Sequence, residues 1–230
     1  MKTFNVKAVF FLGACLFAWN GAAHAEAANP PKDAAALQAY LKTHATRYIA
    51  PIFSQLLSVT MPAGYTTVFE TTQGDHYIRE AVLDGENVDS WSRMITVTGF
   101  RNLSSKPEVS PKSYASSKAA GFQRACRASY SAQGLGDGKI DGADVFVAVA
   151  SCGISPTKDG NRSETALIIV LKGSSDYYTI QWAERGAPSD TPLAIDVEHW
   201  REKYQQLFPV KLCPIVAGEA APYPSCINRR

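Results

Sequence analysis

The chain has 230 residues, of which 46% are hydrophobic, and its 23 basic and 21 acidic side chains give a formal net charge of +2. This length suits one domain that buries a proper core. Lys2 and Lys7 are the only charged residues before Glu26, so residues 26–230 carry no net formal charge. A neutral chain without long basic runs lacks the charge pattern of nucleic-acid-binding proteins, so we expect no nucleic-acid partner.

The first 25 residues have the pattern of a secretory signal peptide. Lys2 and Lys7 precede an apolar run over 8–19, and Ala23-His24-Ala25 is a small-x-small cleavage site. The apolar run is too short to span a bilayer as a mature helix. We therefore expect cleavage after Ala25 and a periplasmic or secreted protein without a membrane span. Residues 26–230 should form a single globular domain.

Cys15 offers a different interpretation of this segment. Leu12-Gly13-Ala14-Cys15 resembles a bacterial lipobox, in which the cysteine is lipidated and becomes the mature N-terminus. The apolar run continues past Cys15 to Trp19, however, whereas a lipoprotein usually turns polar there. We favour cleavage after Ala25 and keep a lipid anchor at Cys15 as the alternative.

Residues 33–58 carry apolar side chains at three- and four-residue steps, which predicts a helix that Pro51 must kink or split. Three strands are expected next, over 65–70, 76–83 and 93–101, with a hairpin turn at 73–75. Ser110-Pro111 then combines a good N-cap with a proline at the first helical position. This pair predicts a second helix from residue 111 to about 130.

Three more strands are expected over 144–152, 165–172 and 177–184, with a polar loop from Gly153 to Glu164 between the first two. Strand 144–152 is apolar on both faces, which is typical of a central strand covered on both sides. Thr191-Pro192 predicts the start of a last helix that stops at Pro209. The order α-β-β-β-α-β-β-β-α predicts an α+β fold, an antiparallel β-sheet flanked by helices.

Four cysteines lie beyond the signal segment, and an even number in an exported chain indicates disulfides. Cys126, Cys152, Cys213 and Cys226 permit three pairings. We favour Cys126–Cys152, because a helix packed on the alanine-lined face of strand 144–152 would bring these two together. The pair Cys213–Cys226 would then staple the proline-rich tail 210–230. Each link should stabilise the fold by roughly 3 kcal/mol.

Two short motifs resemble functional sites but fit them poorly. The segment 137–144 has aspartates and a glycine at EF-hand positions, but Lys139 puts a cation at position 3 of the loop, where a ligand belongs, and Ala148 replaces the final glutamate at position 12. The glycine-rich run 134–138 and this segment are interpreted as turns. Ser155-Pro-Thr-Lys158 has Ser-x-x-Lys spacing without a helix to set its geometry, and we interpret it as part of a hairpin. We expect neither a metal nor a cofactor.

His44, His76 and His199 are the candidates for a general base. His44 and His199 lie on expected helix surfaces and His76 follows a turn, and the sequence places no serine, cysteine or carboxylate beside any of them. We therefore lean against an enzyme. The alternative is a cell-envelope hydrolase that uses His76 or His199 with nearby carboxylates.

The most distinctive string runs over 85–97 and reads Gly-Glu-Asn-Val-Asp-Ser-Trp-Ser-Arg-Met-Ile-Thr-Val. Trp91 lies between a turn and a strand, where an indole can bury its rings, so we predict a structural anchor. Trp91, Arg93 and His76 are also the candidates for ligand binding.

This string resembles a pattern in uncharacterised exported proteobacterial proteins (Gly-Glu, then Trp, then Met-Ile-Thr-Val). The order of elements resembles the PsbP-like α/β/α sandwich. The resemblance implies a binding or assembly module and supplies no catalytic residues. Together with the missing catalytic set, it predicts a non-enzymatic exported accessory domain whose partner is an unidentified protein or small ligand.

Overall fold

The computed structural model describes residues 33–229, so the signal segment, its cleavage site and the lipobox at Cys15 lie outside the described residues. The described helices are α1 (Ala34–Thr43), α2 (Pro111–Ala125), α3 (Val197–Gln206) and α4 (Pro224–Ile227), with a 3-10 turn at Leu103–Ser105. The strands are β1 (Thr46–Ile52), β2 (Gln55–Met61), β3 (Tyr65–Gln73), β4 (His76–Leu83), β5 (Arg93–Phe100), β6 (Tyr130–Ile140), β7 (Ala143–Thr157), β8 (Gly160–Lys172), β9 (Tyr177–Gly186) and β10 (Lys211–Pro214).

These strands form a seven-stranded sheet in the order β3-β4-β5-β9-β8-β7-β6 and a three-stranded sheet in the order β1-β2-β10. Every described strand pair is antiparallel. Helix α2 packs on one face of the large sheet through Ala115 and Ala119. The small sheet and α3 pack on the other face, where Leu57 and Trp200 join the main core. The expected α+β fold, an antiparallel sheet flanked by helices, is confirmed.

Both expected disulfides are present. Cys126 follows α2 and bonds to Cys152 in β7, with the two Cα atoms 5.6 Å apart. The link ties the helix to the sheet face that it covers. Cys213 in β10 bonds to Cys226 in α4, with a Cα–Cα distance of 5.5 Å. The tail is therefore attached twice, through this disulfide and through the pairing of β10 with β2.

The helix expected over 33–58 is wrong after residue 43. Helix α1 ends at Thr43, and the chain then forms the β1–β2 hairpin, with Phe53 at φ 56° in its turn. Pro51 is tolerated because β1 is an edge strand, where a missing backbone donor breaks no ladder on the outer side. The three- and four-residue spacing was misleading because β2 is central in its sheet and buries consecutive side chains, Leu56 through Val59.

Two segments expected to be loops are strands. Gly134–Gly138 lies within β6, which has a bulge between Gly134 and Gly136, and the true turn is Asp141-Gly142, where both residues have positive φ. The polar segment 153–164 continues β7 to Thr157 and starts β8 at Gly160, so Ser155 sits in a hairpin arm. Polar residues form strands here because both arms extend beyond the buried part of the sheet.

The last helix starts later than expected. Thr191-Pro192 precedes an irregular segment, and α3 begins at Val197 after the N-cap Asp196, whose carboxylate accepts from the backbone N–H groups of Glu198 and His199. Helix α2, by contrast, begins at Pro111 as expected, but it ends at Ala125 and not near residue 130, where β6 starts. Ser110 and Ser113 form a capping box there, which satisfies backbone groups that a helix start leaves unpaired.

Candidate functional site

A polar cleft lies at one end of the large sheet, between the β4–β5 loop and the tip of the β7–β8 hairpin. Its volume is about 310 Å³, within the range of small-ligand sites. The side chains that give it chemical character are Glu86, Asn87, Trp91, Asp159, Arg162 and Arg185. We call this site the Trp91 cleft.

The β4–β5 loop is held by its own side chains. The Asn87 carbonyl oxygen Oδ1 accepts from the backbone N–H groups of Asp89 at 3.0 Å and Ser90 at 3.1 Å. The Glu86 oxygen Oε1 accepts from the backbone N–H of Ser92 at 3.0 Å and from its hydroxyl at 2.6 Å. Such side-chain to backbone bonds shape a turn without regular secondary structure. The loop therefore presents Trp91 in a defined position.

Two contacts join this loop to the hairpin tip across the cleft. The Ser90 hydroxyl donates to Asp159 Oδ2 at 2.5 Å, and Lys158 Nζ lies 2.6 Å from Asp89 Oδ2. Both contacts are exposed, and exposed ion pairs are worth about 1 kcal/mol or less. The two loops are thus joined across the cleft by weak, exposed contacts.

Trp91 is half-buried and packs against the core under α2. The guanidinium of Arg185 lies over the indole ring, 3.6 Å from its centroid, and its Nε donates to Glu164 Oε2 at 3.1 Å. A planar guanidinium stacked on an indole is a favourable cation–π arrangement. These contacts support the prediction that Trp91 is a structural anchor, which stays a prediction until it is tested by mutation.

Arg162 differs from Arg185. It lies two residues before Glu164 in β8, pairs with Ser155 in the ladder and is exposed. Within residues 33–229 its guanidinium has no ion pair and no hydrogen bond. A free guanidinium in a cleft binds carboxylate or phosphate groups readily, while Glu86 and Asp159 nearby would accept from ammonium or hydroxyl groups. The cleft is suited to a ligand that carries both kinds of group.

Arg93 is not part of this cleft. It lies opposite Glu184 in the β5–β9 ladder, with its Nε 3.9 Å from Glu184 Oε1. His199 Nε2 is 2.8 Å from Glu184 Oε2, and Lys203 Nζ is 3.5 Å from Glu184 Oε1. The expectation that His199 has no carboxylate beside it is therefore wrong. The carboxylate comes from a distant strand.

The His199–Glu184 pair holds α3 on the sheet. Glu184 has three cationic or imidazole neighbours, and no described serine or cysteine contacts His199. A histidine and a carboxylate without a nucleophile do not form a catalytic triad. The pair is therefore assigned to packing of the helix.

His76 and His44 lie elsewhere. His76 starts β4, at the end of that strand away from the cleft, and packs near the Phe100 ring at 5.9 Å. Burial, together with the nearby Lys118 ammonium, lowers the pKa of His76 below its ordinary value. His44 caps α1 and stacks on the Tyr40 ring at 4.0 Å. The binding candidates Trp91, Arg93 and His76 are thus in three separate places.

Three of the cleft residues were not predicted from the sequence: Asp159, Arg162 and Arg185. They come from a hairpin tip and two neighbouring strands, and no local spacing connects them to Trp91. In the part of the chain that the structure describes, no group of three or more His, Cys, Asp or Glu side chains could hold a metal ion. The helices among residues 33–229 are too short or too polar for any of them to cross a bilayer.

Comparison with protein-family models finds no match, and no curated protein matches the sequence. Among solved structures, the cyanobacterial PsbP of Synechocystis sp. PCC 6803 is 10% identical over 71% of this chain and 86% of its own, with a TM-score of 0.41. The Ran-binding protein Mog1p of Saccharomyces cerevisiae is 10% identical over 71% of this chain and 85% of its own, with a TM-score of 0.37. LpqN of Mycobacterium tuberculosis, involved in cell envelope biogenesis, is 8% identical over 76% of this chain and 95% of its own, with a TM-score of 0.36. PsbP is therefore among the proteins to which this chain is similar, at a level that carries no conclusion about function.

Proposed function

We propose that this protein is an exported, non-enzymatic accessory domain that binds a polar ligand, or a polar segment of a partner, in the Trp91 cleft. Export rests on the signal pattern of residues 1–25 and agrees with two disulfides in the folded chain. Binding rests on the cleft. The ligand class follows from the charges that line it.

The observation that carries the proposal is the Arg162 guanidinium, which has no partner among residues 33–229 and lines a cleft of about 310 Å³. Asp159 and Glu86 supply negative charge in the same space, so the lining has no large excess of either sign. A dianion such as phosphate would be repelled by both carboxylates. A zwitterionic ligand, with a carboxylate for Arg162 and an ammonium for Asp159, suits the lining best.

The positions of the histidines argue against a hydrolase. His44 caps a helix, His76 lies at the far end of β4, and His199 is engaged by Glu184. None of the three lines the Trp91 cleft. The residues that face a ligand there are suited to hold charges rather than to activate a nucleophile.

A titration followed by amide NMR tests the proposal. Glycylglycine is the zwitterionic probe, and acetate and a neutral disaccharide are the comparison ligands. We expect glycylglycine to shift the amide signals of Asn87, Trp91 and Arg162, and Arg162→Gln to abolish the shifts. Arg127→Gln, which changes an exposed arginine outside the cleft, is the matched control and should bind like the wild type. Equal binding by Arg162→Gln and the wild type would refute the assignment of this cleft.

The export part of the proposal has its own test. Expressed with its natural N-terminus in a Gram-negative host, the protein should be recovered from the periplasm with Glu26 as its first residue. Cys15→Ser should leave both location and N-terminus unchanged. A lipid-modified N-terminus at Cys15 would instead establish the lipoprotein alternative.

A further inference from the structure

The outer edge of β3 is the least protected sheet edge in the described part of the chain. Edge strands expose unpaired backbone groups and are usually shielded by charges, prolines, β-bulges or short length. Both β3 and β6 have a bulge, so the other devices distinguish these two edges. Strand β1 carries Arg47 and Pro51, and β10 has only four residues. Strand β6 carries Asp137 as well as Lys139, which forms an ion pair with Asp144. Strand β3 has nine residues, no proline and no lysine or arginine.

The single charged side chain of β3 is neutralised within the molecule. The Tyr77 hydroxyl donates to Glu70 Oε1 at 2.7 Å, and Arg79 Nε lies 3.7 Å from Glu70 Oε2. Arg79 also donates to the Thr67 hydroxyl. Glu70 therefore does not leave a free negative charge along the edge that would repel another strand.

The bulge in β3 determines which side chains share a face. The register shifts between Thr67 and Phe69, so that Phe69 pairs with Glu80 and Thr66 with Val82. Because directly paired residues point to the same face and alternate residues share a face, Thr66, Phe69 and Thr71 lie on the face that carries α2. Phe69 is 43% exposed there, in the middle of the strand.

We propose that β3 pairs with β3 of a second copy of this chain, antiparallel and about a two-fold axis at Phe69. An antiparallel pair related by a two-fold axis repeats each contact, so the strand must be complementary to itself. With the bulge counted as one position, Phe69 meets Phe69 of the second copy. Thr71 of one copy then lies opposite Thr66 of the other, and Thr72 of one copy lies opposite Tyr65 of the other. The two seven-stranded sheets become one continuous sheet.

Self-complementarity favours a second copy over an unrelated strand. The Thr71–Thr66 contact joins two β-branched residues, and the Thr72–Tyr65 contact joins a β-branched residue to an aromatic one; both are favourable cross-strand pairs. The two Phe69 rings cover each other at the axis and remove exposed apolar surface from water. Glu70 falls opposite Thr67 of the second copy, so no like charges meet. In this register the paired side chains of β3 are therefore compatible with one another.

Sedimentation velocity from micromolar to millimolar protein tests the proposal. We expect a concentration-dependent monomer–dimer equilibrium for the disulfide-intact protein. The double change Thr66→Lys/Thr71→Lys places a lysine of one copy opposite a lysine of the other on each side of the axis. This repulsion should raise the dissociation constant of the dimer on the order of tenfold or more. Thr66→Glu/Thr71→Lys replaces that repulsion by two ion pairs and should restore dimerisation. Gln133→Lys on the edge strand β6 is the matched control and should behave like the wild type.

A monomer at every concentration would overturn the proposal, as would a double-lysine variant that dimerises like the wild type. Failure of Thr66→Glu/Thr71→Lys to restore the dimer, with a normal melting curve, would reject this register. Should the double-lysine variant fail to fold, Phe69→Cys provides a second measurement. The proposed axis brings the two Cα atoms at position 69 within about 5.5 Å, so mild oxidation should link the copies. Phe100→Cys, which is also at an exposed aromatic, should not link them, and linkage of neither variant would count against the interface.

Discussion

Ser54 makes two hydrogen bonds to Asp176, with its backbone N–H at 2.9 Å and its hydroxyl at 2.5 Å from the carboxylate oxygen Oδ2. Ser54 is in the turn between β1 and β2, and Asp176 directly precedes β9. The backbone N–H of Asn102 donates to the second oxygen, Oδ1, at 2.7 Å. One carboxylate that is only 1% exposed therefore connects the small sheet, the end of β5 and the β8–β9 turn.

We predict that Asp176→Asn destabilises the fold by about 3 kcal/mol, because an amide nitrogen cannot accept the bonds that now reach a charged carboxylate. Chemical denaturation at pH 7 measures the change. Asp190→Asn, which alters an exposed aspartate, should have almost no effect and serves as the control. A midpoint for Asp176→Asn equal to that of the wild type would show that the small sheet is held without this carboxylate.

Asp176 also predicts a pH dependence. Burial raises the pKa of its carboxyl, but the hydrogen bonds from Ser54, Asn102 and Tyr178 together outweigh burial and hold the pKa below its ordinary value. The stability that Asp176 supplies is therefore fully present above the ordinary aspartate pKa and is lost as the pH falls through the lower folded value. The Asp176→Asn variant should not lose this part of its stability at low pH. The free energy of unfolding of the variant and of the wild type, measured at a series of pH values from 7 downward, should therefore differ less as the pH falls. Parallel curves would contradict the assignment.

Trp91→Ala should lower the melting temperature with or without ligand. The indole is half-buried rather than fully buried, so we expect a loss of about 2 kcal/mol, below the cost of truncating a fully buried tryptophan. Val88→Ala, at an exposed apolar side chain of the same loop, is the control. A melting temperature within about a degree of wild type, combined with lost glycylglycine binding, would make Trp91 a ligand contact instead of an anchor.

Gly153→Ala should be strongly destabilising. A Cβ atom at Gly153 would lie 2.2 Å from the carbonyl oxygen of Ser189 and 3.0 Å from that of Thr191, and backbone atoms cannot move aside like a flexible side chain. We expect a loss of about 3 kcal/mol or more, measured by thermal and chemical denaturation. Gly121→Ala in α2 is the matched control: its Cβ meets nothing nearer than Arg124 Nη2 at 3.9 Å, and it should stabilise by about 0.5–1 kcal/mol.

The disulfides should contribute stability and nothing to binding. The double change Cys213→Ser/Cys226→Ser opens a loop with a sequence separation of 13 residues and should cost roughly 3 kcal/mol on the chain-entropy model. Glycylglycine binding should persist, because the Trp91 cleft is formed by other segments. Peptide mapping without reduction should recover Cys126 with Cys152 and Cys213 with Cys226, and a crossed link would refute the pairing.

Features that depend on residues close together in the chain could be predicted from the sequence. Ser110-Pro111 marked the start of α2, and the apolar faces of 144–152 marked a central strand, which the structure confirms. The cysteine pairing followed from one further step, the packing of that helix on that strand. These predictions are confirmed because helix capping and the apolar faces of a strand depend on neighbouring residues, and because the helix and strand linked by Cys126 and Cys152 are close in the sequence.

The remaining features depend on contacts between segments that are far apart in the chain. Residues 46–58 have apolar spacing that fits a helix or buried strands. In the structure they form strands, because β1 pairs with β2 and β2 also pairs with β10 from the far end of the chain. Arg162 and Arg185 join Trp91 because the hairpin β7–β8 and strand β9 bring their side chains to the end of the sheet where the β4–β5 loop lies. Likewise Glu184 reaches His199, and Asp176 reaches Ser54, across long stretches of sequence. All of these contacts join segments that are far apart in the sequence and are brought together by the pairing of β5 with β9 and by the packing of α3 and the β1–β2 turn on the large sheet. No short window of sequence therefore contains both partners.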